Sequence, residues 1–201
     1  MKVKRMVRVL ITILSIGLLL PSLLSSAAFA EQPKLSKPIT KKIVSLDKYN
    51  YYIREIDGGL LINPAKHSFS KVNTSPGAEW IVIDYLKGLM SGEINKMLDL
   101  STEKKRKHLG KELSKNYTSR SNAKKELYKK YKGKFIRVNK RIDYGRGRES
   151  KILICYFIVN EKKKNIESGA VGLAFSKGKW RVDLVKDDFI YKNVMSKSEC
   201  S

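Results

Sequence analysis

The spacing of apolar positions changes several times along the chain, and each change marks a boundary. Residues 9–20 are an almost unbroken apolar run behind Lys2, Lys4, Arg5 and Arg8. Pro21, Ser22, Ser25 and Ser26 stop that run short of the about 20 apolar residues a membrane-spanning helix needs. Ala28-Phe29-Ala30 then sets small residues at the two positions a signal peptidase reads. Residues 1–30 are therefore expected to be a secretory signal cleaved after Ala30. No cysteine stands directly after Ala30, and no later segment is apolar enough to span a bilayer. The expectation is a mature chain without a transmembrane segment, secreted or held on the outer side of a bacterial cytoplasmic membrane.

Residues 31–40, with Pro33 and Pro38, read as a flexible lead-in. Short strands are expected at 43–46, 51–56 and 60–62, with Asp57-Gly58-Gly59 as a turn signal, and a polar connection follows. Together residues 31–74 are expected to be a linker and a β-rich extension. The period then becomes helical. Ser75-Pro76 supplies a cap and a first-turn proline, and Trp80, Ile81, Ile83, Tyr85, Leu86, Leu89 and Met90 cover one broad face before Ser91-Gly92 ends the helix. Residues 93–100 predict a short second helix. Residues 102–132 predict helix in two pieces, broken near 116–122, whose inward stripe is thin: Leu109, Leu113, Tyr117, Leu127, Tyr128 and Tyr131.

Past Gly133 the runs 135–144, 151–159, 167–176 and 179–185 are rich in β-branched and aromatic residues, and short turn-forming links separate them. Links that short predict antiparallel neighbours. The expected fold is α+β over residues 75–190: N-terminal helices packed on a curved antiparallel sheet of about four meandering strands, a roll, with a polar tail over 191–201.

Charge sharpens this picture. The chain holds 42 Lys and Arg against 19 Asp and Glu, and the signal contains four of the basic residues and none of the acids. The excess is clustered, with thirteen Lys or Arg and three acids over residues 103–134. Lys104, Lys105, Arg106 and Lys107 open the patch, and Lys124, Lys125, Lys129 and Lys130 repeat it. Such a field attracts polyanions, and lysine favours diffuse phosphate attraction over bidentate readout. An anionic cell-envelope polymer or lipid surface is the expected partner. Nucleic acid, with Tyr117, Tyr128 and Tyr131 available for stacking, comes second. The competing reading is that these lysines only keep the domain in solution. Nothing in the pattern indicates an oligomeric state.

Cys155 lies inside the apolar run 152–159 and Cys200 near the chain end. A disulfide between them would staple the tail to the sheet; a buried thiol and an exposed one are the alternative. There is no CxxC, and His67 and His108 have no neighbouring ligand pair, so neither metal nor cofactor is expected.

The sequence Trp-Ile-Val-Ile-Asp-Tyr-Leu-Lys-Gly-Leu-Met-Ser-Gly-Glu over residues 80–93, and Gly-Ala-Val-Gly-Leu-Ala-Phe over 169–175 followed by Lys179-Trp180-Arg181-Val182, resemble the first helix and last two strands of the nuclear transport factor 2-like (cystatin-like roll) superfamily. The likeness is to its small exported bacterial members of unknown function and covers residues 75–189. It implies a cone-shaped cavity between sheet and first helix, in which some members act as isomerases, dehydratases or hydrolases through an Asp, His or Tyr. Carried over by position, Asp84 and Tyr156 are the catalytic candidates. No His stands near Asp84 in the pattern, so Asp84 is expected as a solvated helix residue and Tyr156 as core. Asp183, Asp187 and Asp188 read as a turn before they read as a metal cluster. The sequence thus points to a noncatalytic exported module, with a small-molecule enzyme or a secreted nucleic-acid or protein binder as alternatives.

Overall fold

The computed structural model describes residues 39–46, 49–69, 77–145, 150–184, 188–196 and 200. All lie in one unit, Pro33–Ser201. The expected signal with Ala30, the Ser75-Pro76 helix start, most of the 145–148 link and Asp187 fall outside the described residues.

Helix α1 spans Ala78–Ser91 with Gly77 at its cap, and ten of its residues are buried. A helix apolar on nearly every side belongs in the interior. Its end requires glycine twice over. Gly92 has φ 68°, and a Cβ there would sit 2.6 Å from the Cα of Lys124 and 2.7 Å from its carbonyl. Helices α2 (Ile94–Asp99), α3 (Glu103–Asn116) and α4 (Arg120–Tyr131) follow. Thr102 caps α3 by accepting from the Lys105 amide at 3.3 Å, and Ser119 caps α4 by accepting from the Asn122 amide at 3.1 Å.

Six strands form one antiparallel sheet in chain order: β1 (Ile39–Leu46), β2 (Tyr49–Ile62), β3 (Phe135–Tyr144), β4 (Lys151–Val159), β5 (Asn165–Ser176) and β6 (Lys179–Asp183). The expected four strands are the last four. The expected extension is corrected: β1 and β2 are the first two strands of the same sheet, with Ile53 of β2 opposite Ile142 of β3. Asp57-Gly58-Gly59 does not turn the chain back. It falls where the β2–β3 register shifts between Glu55 and Leu60, and Gly59 has φ 58°. An extra residue in a bulge needs the same left-handed backbone as a turn, which is why the two share a composition.

The bulges decide which face each residue serves. In β3 the register shifts between Val138 and Lys140. Ile136 and Val138 pack under α1, whereas Ile142 and Tyr144 belong to a second core. Strict alternation would have put all four on one face. The α1-side core also takes Ile152, Ile154, Ile158, Leu173 and Val182. The second core joins Ile53, Leu153 and Cys155 to Ile190, Val194 and Cys200.

Those last residues correct the expected polar tail. Phe189–Ser196 is a helix, α5, whose Ile190 and Val194 lie one turn apart and are both buried. Asp188 accepts from the Ile190 amide at 3.0 Å and pairs with Lys151 at 2.7 Å, fixing the start of α5. A Cys155–Cys200 disulfide, with Cα atoms 5.2 Å apart, ties the segment beyond α5 to the middle of β4. Among the described residues no helix is long and apolar enough to cross a membrane.

Candidate functional site

The basic residues lie as the helical period requires. Leu109, Leu127 and Tyr131 turn inward and are buried, with Leu113 and Tyr117 packed against the same core. Ala123 joins them unforeseen, because its small side chain carries little pattern. Tyr128 is the exception to the expected stripe: it is 53% exposed, on the lysine side of α4. Lys104, Lys107, Lys111, Lys115, Lys124, Lys125, Lys129, Lys130 and Lys132 are exposed, and Lys105 is half-buried. Two have carboxylate partners: Lys107 pairs with Glu103 at 2.8 Å and Lys130 with Glu167 at 3.4 Å. Arg106 spends its Nε on the Leu98 carbonyl at 2.7 Å. Lys104, Lys111, Lys115, Lys124, Lys125, Lys129 and Lys132 have no ion-pair partner among the described residues.

Asp84 is not a solvated residue. It is buried in α1, and its Oδ1 lies 2.8 Å from Nε2 of His67, with both side chains under 5% exposed. His67 also stacks on Trp80, ring centroids 5.7 Å apart at 12°. Lys87 of α1 completes the attachment, donating to the carbonyls of Pro64 (3.0 Å) and His67 and lying 4.7 Å from the Phe69 ring centroid. The Asp84–His67 pair thus fastens the connection after β2 onto α1. Burying a carboxylate without partners is costly, so a carboxylate on the buried side of a helix demands one. The chain has two histidines, and that signal was available in the sequence. What hid the pair was a separation of 17 residues across a polar stretch.

Tyr156 stands on β4 with its hydroxyl over Gly169, where a Cβ would approach it to 2.9 Å. Burial, then the Glu167 charge, pushes its phenol above the ordinary tyrosine range. Nearby, Tyr131 donates to Glu167 at 3.1 Å and accepts from Lys130 at 2.8 Å. The aspartates around β6 are also spoken for: Asp183 accepts from the Thr102 hydroxyl at 2.5 Å, and Asp188 holds Lys151 and α5. Among the described residues no group of three or more His, Cys, Asp or Glu could hold a metal.

A set of groups that the sequence did not bring together meets at the outer edge of the sheet. Tyr85 of α1, Lys105, His108 and Glu112 of α3, Asp183 at the end of β6 and Tyr191 of α5 line a cleft of about 160 Å³, beside Ala170, Val171, Gly172 and Val182. His108 Nε2 lies 3.1 Å from Glu112 Oε1. Burial, reinforced by Glu112, raises the Tyr85 phenol well above its ordinary value, so it stays protonated.

No family model, no curated protein and no solved structure matches the chain.

Proposed function

We propose that this chain is an exported, noncatalytic binding module of the bacterial cell envelope, engaging a phosphate-bearing wall polymer or anionic lipid surface through the solvent sides of α3 and α4. The observation that carries this reading is the set of six exposed lysines on α3 and α4, with Lys132 just past the end of α4, that have no ion-pair partner among the described residues. Charges neutralised within the fold would add little field outside it; unpaired ones add to each other and draw polyanions in. The helices are capped at Thr102 and Ser119 and anchored by Leu109, Leu127 and Tyr131, so the lysines ride on a fixed scaffold. Export is supported by residues 1–30 and by the Cys155–Cys200 bond, which persists in an oxidising compartment. We read the sheet and α1 as a roll of the nuclear transport factor 2-like type; consecutive antiparallel strands with a buried first helix support that reading. The enzyme alternative gains an acid–base pair in Asp84 and His67 that the sequence pattern did not show, but it finds less support because both side chains are under 5% exposed and closed to a substrate.

Sedimentation of the chain with cell-wall sacculi, anionic vesicles and DNA across a salt series tests the proposal. Salt-sensitive binding is expected to the first two. If the preferred polymer were DNA and all seven lysines met phosphates, affinity would fall on the order of a thousandfold or more between about 50 and about 200 mM salt. Absence of binding to all three would overturn the reading.

A further inference from the structure

The β5–β6 hairpin carries aromatic side chains out to the edge of the sheet and leaves them short of cover. Ser176 pairs with Lys179 and Phe175 with Trp180, and Lys177 and Gly178, at φ 52° and 79°, make the two-residue turn between them. Alternation places Val171, Leu173, Phe175, Trp180 and Val182 on the side of the sheet that faces α1. Val171, Leu173 and Val182 are buried in the core there. Phe175, two residues further on, is 47% exposed, and Trp180 is half-buried against the same core. The two rings meet edge to face, with centroids 5.5 Å apart at 70°. One exposed ring is ordinary on a protein surface. A pair carried to a hairpin tip, with one member anchored in the core, forms a rigid apolar wedge.

Positive charge lies beside that wedge. Thr102, the cap of α3, donates its amide to the Val182 carbonyl at 2.8 Å, and Arg181 donates to the Asp99 carbonyl at 2.8 Å, so β6 runs against the start of α3. Glu103, whose carboxyl is lowered first of all by its Lys107 hydrogen bond, also feels the charge of Lys177. Lys104, Arg106, Lys107 and Lys177 are all exposed. Lys104 and Lys177 have no ion-pair partner among the described residues. Lys179, paired with Ser176, points to the other face of the sheet and is no part of this set.

The combination narrows the partner. Lysines alone serve any polyanion, and a phosphate-bearing polymer in water does nothing to take a phenylalanine ring out of water. Stacking on nucleic-acid bases uses open ring faces, whereas Trp180 is half-buried and set against Phe175. The boundary of an anionic bilayer accepts both components at once. Aromatic rings settle at the level of the headgroups, ammonium groups meet the phosphates, and the two contributions add.

We propose that the tip of the β5–β6 hairpin docks on an anionic lipid bilayer, with Phe175 and Trp180 entering the headgroup boundary and Lys104 and Lys177 on the lipid phosphates. This rests on the cationic binding surface proposed above and names its partner as lipid rather than wall polymer.

Fluorescence of the chain with vesicles tests it. The vesicles hold equal parts of phosphatidylglycerol and phosphatidylcholine, with and without bromine on the acyl chains, at about 0.15 M ionic strength. The chain has two tryptophans, and Trp80 stacks on His67, so bromine should quench the unmodified chain and not a Trp180→Phe chain. Phe175→Ser alters a half-exposed side chain and should fold; it should weaken vesicle binding about tenfold, the worth of burying about half a ring, and leave binding to cell-wall sacculi unchanged. Lys104→Gln and Lys177→Gln should each weaken vesicle binding about fivefold, and Lys179→Gln should not. Vesicle binding without quenching, quenching that survives Trp180→Phe, or undiminished affinity in a folded Phe175→Ser chain would overturn the proposal. Salt-sensitive binding to sacculi but not to vesicles would overturn it and leave the cationic surface standing, whereas binding to neither would overturn both.

Discussion

Helices α1 and α3 are both fourteen residues long, and the fold treats them in opposite ways. Helix α1 buries ten residues, two of them acids, and each acid has a basic partner from elsewhere: Glu79 takes Arg141 at 2.8 Å and Asp84 takes His67 at 2.8 Å. Helix α3 buries Leu109 alone and leaves Lys104, Lys111 and Lys115 without an ion-pair partner among the described residues. Paired charge in the interior answers the cost of desolvation. Unpaired charge at the surface answers to nothing inside the molecule, and so is free to act on something outside it. The comparison gives the first helix a structural part and leaves the proposed interaction to the third.

The largest expected effect breaks the α1 side of that contrast. His67→Ala leaves a buried carboxylate short of its partner and should cost about 3 kcal/mol of stability in chemical denaturation; a loss below about 0.5 kcal/mol would mean the pair is not structural. Next comes the junction of α3 with β6. Thr102→Ala removes both the N-cap and the Asp183 contact and should cost about 1 kcal/mol or somewhat more. The smallest effect sharpens the α3 side. Lys104, Lys124, Lys125 and Lys129 changed together to Gln should move stability by no more than about 0.5 kcal/mol, as surface changes do. Glu103 adds a pH test of the same surface. The Lys107 hydrogen bond and charge hold its carboxyl below the ordinary value, so the pair contributes above that value and is lost as pH falls through the lowered one. Both side chains are fully exposed, so Glu103→Gln should leave the melting temperature unchanged near neutral pH.

Much of the helical half was legible because its period is strong. The break near 116–122, the thin inward stripe and the Gly92 stop are all visible as letters. The last four strands were legible too, since their links are short and rich in turn residues. What escaped notice depended on contacts between distant segments. The membership of β1 and β2 in the sheet rests on the pairing of β2 with β3, whose partners lie 74 to 93 residues apart, as in Ile53 with Ile142, and a bulge at Gly59 looks like a hairpin turn until its partner strand is known. Helix α5 has only Ile190 and Val194 fully buried, a signal too short to separate from a polar tail. The cleft was invisible for the same reason: Tyr85, Glu112, Asp183 and Tyr191 are unremarkable one at a time and come together only where four elements meet.

The central claim concerns where the charge lies rather than how much there is, and one measurement isolates that. Two variants of equal net charge are compared for partition onto vesicles containing an anionic lipid: Lys104, Lys124, Lys125 and Lys129 to Gln, and Lys162, Lys163, Lys164 and Lys179 to Gln, all eight residues being exposed. Each lysine lost from a surface-facing cluster should cost about 1 kcal/mol of membrane attraction. The account predicts that the first variant loses binding while the second stays close to the unmodified chain. Equal loss in both would show that the α3–α4 surface has no special part in binding.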